Sequence, residues 1–225
     1  SDWVFHAPYF YDRTLIHNPF IYGLSNAIGR YAPRTRNAEV FIDVNGGALT
    51  YTGAQSGDYF GVYNIMEKIR RGSDRVDIAK LDMYDNDAVK RTGGYIVKVD
   101  RRDTGDSGFT TARQSSFAYY YPKEVDLVSN QRDAQEQYIK GFMQAFDNAC
   151  YAANWRDPVT GYRRYLDVDA AIDHHLLNTW AFNVDALRLS GYLHVDRGGK
   201  IVYGPIWDFD RALCSADGRD ANPMM

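Results

Sequence analysis

The sequence predicts an α+β fold in two tightly associated parts, β-rich over residues 1–121 and mainly helical over 122–225. Three observations point there. Strand-like runs fall at 38–44, 59–69 and 94–100. From 133 to 150, Tyr138, Phe142, Phe146 and Cys150 recur every four positions, which makes one apolar helix stripe. Near the end, two short β-prone runs, 191–196 and 200–206, flank Arg197-Gly198-Gly199, whose glycines suit a tight reversal. A chain of 225 residues with 45% apolar content is ample for a packed core.

Taken in order, residues 19–30 read as a helix, with Ala32-Pro33-Arg34 after its end. The run 38–44 alternates, with Val40, Ile42 and Val44 on one face. The glycine-rich stretch 45–58 matches neither GxGxxG nor the Walker pattern, and is read as an ordinary connection. Two further strands follow, at 59–69 (YFGVYNIMEKI) and 94–100 (GYIVKVD). Residues 103–116 are rich in Gly, Ser and Thr and lead to Tyr121-Pro122-Lys123-Glu124, the natural seam between the two parts. In the second part, Asp167 or Asp169 is placed to cap a helix whose Ile172, Leu176 and Trp180 share a face expected to be buried. That helix should end just before Asn183.

Charge and composition exclude several classes. A net charge of −3 without a basic block leaves no electrostatic footprint for nucleic acid or an anionic membrane. No apolar run approaches the length that spans a bilayer. The two cysteines, Cys150 and Cys214, make no disulfide framework and are expected to be buried or half-buried thiols. The chain begins at Ser1 and ends in NPMM with no terminating signal, so a piece of a longer protein is expected.

Chemistry concentrates between residues 183 and 210. A hairpin over 191–206 returns the chain to its starting end, which should bring Asp185 beside Asp208 and Asp210, with Asn183 and Arg188 close by. Carboxylates held that near repel one another, so a shared cation is a physically reasonable companion. The adjacent His174 and His175 project about 100° apart on a helix and cannot readily share an ion. No HExxH, CxxC or GxSxG occurs. Glu67 and Lys68, as strand neighbours, face opposite ways. Lys98, inside an apolar strand, needs a partner if buried, and a Glu67–Lys98 pair and two solvated edge charges are equally open.

These residues together resemble the spore coat protein H (CotH) kinase family. The matching pieces are APR at 32–34, FGVYNIMEKI at 60–69, TGGYIVKVD at 92–100, YPKE at 121–124, YLDVDAAIDHHL at 165–176, NVDALRLSGYLH at 183–194 and GPIWDFD at 204–210, in family order and over most of the chain. The resemblance implies an atypical protein-kinase-like fold of two lobes, with ATP and Mg2+ as the donor pair and transfer to protein Ser or Thr. It implies Asp185 as the aspartate that orients the acceptor hydroxyl and Asp208 as the magnesium-binding aspartate, with Asp210 offering a second carboxylate. Ser190 stands where ordinary kinases place a metal-binding Asn. Lys68 and Lys98 compete for the phosphate role, Lys98 being favoured on strand phase, with Glu67 in support. Lys123 and Asn183 complete the expected nucleotide-binding set, and Arg188 and Arg34 are candidates for neutralising phosphate. The resemblance also implies a continuation beyond residue 225 and favours a cell-surface, spore-coat or secreted setting. Two rivals stand beside a kinase: a catalytically silent surface-attachment module, and a metal-dependent phosphohydrolase that uses water as acceptor.

Overall fold

A computed structural model describes residues 2–52, 57–102, 104–123 and 132–219. Eight strands and three α-helices lie among them: β1 (Trp3–His6), α1 (His17–Ala27), β2 (Thr35–Phe41), β3 (Tyr59–Glu67), β4 (Tyr95–Val99), β5 (Gly108–Thr110), β6 (Ser116–Tyr121), α2 (Asp133–Tyr151), α3 (Val168–Trp180), β7 (Gly191–Val195) and β8 (Ile201–Tyr203). They form two antiparallel sheets, ordered β1-β3-β2 and β5-β6-β4-β7-β8.

The five-stranded sheet has two working faces. Tyr95, Val97, Leu193 and Val195 pack with Phe117 and Tyr119 against Ile139 and Met143 of α2, the main core. On the other face, Ile96 and Tyr192 meet Ile69, Val76 and Ile78, which follow β3. A further core joins Met66 of β3 to Ile21 and Tyr22 of α1 and to Ile206, Phe209 and Ala212. The expected boundary at 121/122 falls at the end of β6. Strands β7 and β8, from beyond it, enter the same sheet through β4, with Lys98 opposite Tyr192 and Val97 opposite Leu193.

Several expectations shift. Strand β2 starts and ends three residues earlier than the alternation suggested, and Val44 is 85% exposed, because Asp43 turns the chain by accepting the N–H groups of Asn45 and Gly46 at 2.9 and 2.7 Å. Cys214 is exposed rather than buried. Helix α3 forms as expected, capped by Asp167, whose carboxylate accepts the Ala170 N–H at 3.0 Å.

The face that α3 buries is the opposite of the one expected. Ile172, Leu176 and Trp180 are 50, 59 and 56% exposed, while Ala170, His174 and Asn178 are buried. Two residues along a helix turn through about 200°, so these sets lie back to back. His174 packs its ring on Tyr203 with centroids 5.3 Å apart. Asn178 donates to the His174 carbonyl at 2.8 Å and accepts the Asn183 amide at 3.0 Å, so the polar face fastens the loop that follows the helix.

Candidate functional site

The N-terminal segment prepares the site's floor. Asp12, fully buried, accepts the N–H groups of Leu15 and His17, both at 2.8 Å, and the Thr14 hydroxyl at 2.6 Å. Those bonds set the entry of α1, which then presents Asn18 and Tyr22 to the segment after β8. The Asn18 side-chain oxygen accepts the Phe209 N–H at 2.7 Å, and the Tyr22 hydroxyl accepts the Asp208 N–H at 3.0 Å. Asp208 is thus held at φ 65°, a left-handed conformation that Asp tolerates better than most residues.

Around it lies a hollow of about 230 Å³, lined by Tyr11, Asp100, Arg101, Asp185, Leu189, Ser190, Asp208, Asp210 and Arg211. Asp185, Ser190, Asp208 and Asp210, picked out in the sequence, therefore share one concavity. The Ser190 hydroxyl donates to Asp208 at 3.0 Å. Asp210 is buried, and that burial, followed by the charge of Asp208, pushes its carboxyl up to about 7. His6 Nε2 stands 3.9 Å from an Asp210 oxygen, and burial pulls this imidazole down against the pull of Asp208 and Asp12. Among the described residues no three His, Cys, Asp or Glu side chains form a complete metal cage. Two carboxylates and a hydroxyl suit an ion that takes one or two protein carboxylates and completes its shell with phosphate and water oxygens, as Mg2+ does.

Asp185 occupies the other wall, and three guanidinium groups reach its carboxylate: Arg188 at 2.7 Å, Arg219 at 3.3 Å and Arg211 at 3.6 Å. Asn183 supports the loop from below, accepting the Asp185 N–H at 3.3 Å.

The remaining sequence candidates lie elsewhere. Lys98 is held by Asp106 at 3.3 Å on β4, two residues before Asp100 of the hollow. The Glu67–Lys98 pair does not form, because β3 and β4 belong to different sheets. Glu67 is 1% exposed and instead meets Arg34 at 2.5 Å and Arg75 at 3.5 Å. Burial pulls its carboxyl up, but the hydrogen bonds and charge of Arg34, with Arg75, hold it below the ordinary value. Lys68, the residue after the end of β3, is exposed. Lys123 is exposed, and Glu124 lies outside the described residues.

Sequence reasoning missed Asp100, Arg101, Tyr11, His6 and Arg211. Asp100 ends one motif already noted, and Arg101 and Arg211 each follow one directly, so proximity was an available signal. His6 and Tyr11 carry none, since only the docking of the first strand and the turn after it brings them here.

Compared with known proteins, residues 1–223 match the family described as CotH kinase protein. No curated protein matches the chain.

Proposed function

From the premise that the chain belongs to the CotH kinase protein family, which implies a kinase that uses ATP, we propose that it transfers the γ-phosphoryl group to Ser or Thr of a surface or coat protein, with Mg2+ as the bound cation. The observation that carries this reading is the meeting of Asp185, Ser190, Asp208 and Asp210 in one hollow. Bound there, Mg2+ supplies charge neutralisation at the donor phosphates. Asp208 and Asp210 hold the cation, and Ser190 orients Asp208 through its hydrogen bond. Asp185 accepts the hydrogen bond of the acceptor hydroxyl and aims it at the phosphorus, once one of its guanidinium partners yields. The arginine that yields, Arg188 or Arg211, stands ready to balance the charge that spreads over the transferring group. Lys98, two residues before Asp100 on β4, is the lysine assigned to the donor phosphates, and it must leave Asp106 to reach them.

One observation favours the rival reading of a silent attachment module: the three arginines on Asp185 leave its carboxylate already engaged. Incubation with γ-labelled ATP, Mg2+ and a mixture of Ser- and Thr-containing proteins separates the readings. Label on protein supports the kinase. Label released only as free phosphate supports the hydrolase, and neither product supports the silent module.

A further inference from the structure

Glu67 and Arg34 meet in a place that the proposed transfer does not use. A second hollow, of about 710 Å³, is bounded by Trp3, Pro19, Tyr22, Arg34, Arg36, Ile65, Glu67, Asp74 and Arg75 among others, and shares no lining residue with the hollow at Asp208. Tyr22 stands between them, since it belongs to this wall while its hydroxyl bonds Asp208.

At its base Glu67 accepts the Arg34 N–H at 3.1 Å and the Arg34 guanidinium at 2.5 Å, with Arg75 at 3.5 Å and the Tyr31 hydroxyl at 3.4 Å. Desolvation largely offsets what such a buried ion cluster adds to stability. What the cluster does is hold the exposed Arg34 guanidinium in place over Glu67, with Arg75 behind it donating to Glu67 and to the Lys68 carbonyl, and a guanidinium fixed in this way is suited to forked recognition of an oxyanion. The Arg34 side chain remains 59% exposed, and the same nitrogen that meets Glu67 also meets Asp74 at 3.0 Å. Asp74 is itself 68% exposed, a surface carboxylate sitting where an incoming anion would sit. Arg36 adds a third cation to the lining, so positive charge exceeds negative. Trp3, 52% exposed, and the half-buried Pro19 and Ile65 offer apolar surface for neighbouring side chains.

We propose that this hollow binds a phosphoserine or phosphothreonine side chain of a polypeptide, its phosphate displacing Asp74 from Arg34. The choice of a phosphorylated protein as the source of the phosphate rests on the kinase reading; the anion site does not. An acceptor already carrying one phosphate would then be retained while a second hydroxyl reaches Asp185.

The test is calorimetric titration of the full chain, without nucleotide, by a synthetic peptide bearing one phosphoserine and by its unphosphorylated counterpart. The phosphopeptide should bind roughly tenfold or more tightly than its counterpart. Asp74→Asn, at an exposed position, should tighten it by several-fold, and Arg34→Met should abolish the preference. Because Arg34→Met also removes a partner of buried Glu67, Arg36→Ala serves as a second variant and should weaken binding without touching that cluster. Asp208→Asn should leave phosphopeptide affinity unchanged. Equal affinity for the two peptides, or indifference to both Asp74→Asn and Arg36→Ala, overturns the proposal. So does competition by ATP with Mg2+, which would assign the hollow to nucleotide. A parallel titration with ATP and Mg2+ alone reports separately on the kinase reading, so the two can fail independently.

Discussion

Asp208 and Asp185 differ in what surrounds them, and under the proposed function that difference separates binding from chemistry. Half-buried Asp208 has a buried carboxyl, Asp210, as its neighbour, whereas Asp185 has three arginines. Asp208→Asn removes the charge that a cation would offset while keeping the acceptor for Ser190. The expected outcome is loss of Mg2+-dependent ATP affinity by about tenfold or more, measured by calorimetry, with a melting temperature that does not fall, since the repulsion on Asp210 is relieved. Asp185→Ala should leave nucleotide affinity nearly intact and lower phosphotransfer by roughly a hundredfold or more, measured under single-turnover conditions. Near-normal transfer in that variant would remove Asp185 from the mechanism. Both aspartates were legible in the sequence because a hairpin between them constrains where they can go. The arginine set around Asp185 was not, since Arg211 and Arg219 arrive from beyond the hairpin.

At the scale of elements, α1 and α3 carry opposite lessons. Helix α1 supplies Tyr22 to the Asp208 N–H, a contact across the whole length of the chain that no local pattern announces. Tyr22→Phe deletes that acceptor and leaves a part-buried donor unpaired. It should cost about 1–3 kcal/mol in denaturant unfolding and weaken Mg2+-dependent nucleotide binding together. Helix α3 is legible as a helix from its period and its Asp167 cap, but the face it buries is not. Its apolar stripe suggests a buried face, whereas packing selects Ala170 and His174, which let β8 approach, and Asn178, which fastens Asn183. Leu176→Ala therefore should change unfolding free energy by no more than about 0.5 kcal/mol, against the 2–5 kcal/mol expected of a core leucine. A core-sized loss would show that the stripe is covered in solution.

Over the whole molecule, acid should act through buried imidazoles. Burial pulls His174 down to about 4 and lowers His194 and His6 as well. The folded chain thus keeps these rings neutral while the unfolded chain protonates near 6.5, and stability is lost as pH falls through that interval, by up to about 3 kcal/mol for His174 alone. Asp210, lifted to about 7, works in the opposite sense: its ionised form disfavours the fold above that value, and in the absence of metal this cost is relieved as pH falls from about 7 towards 3.8. Urea midpoints between pH 7 and 4 should therefore fall in an Asp210→Asn background; a flat profile there would contradict the neutral burial of His174. What the sequence by itself determined was local: the helical periods, the hairpin at 197–199, the placing of Asp185 and Asp208 at its open end, and the family. These depend on spacing within a few turns or one reversal, which the order of residues specifies. Only the tertiary structure decided that β7 and β8 join β4 in one sheet across the expected 121/122 boundary, that Glu67 meets Arg34 and Arg75 instead of Lys98, and that His6, Tyr11 and Tyr22 come to Asp208. Those partners are chosen by which faces can pack closely and which buried charges must be matched, and such choices are made between segments far apart in the chain.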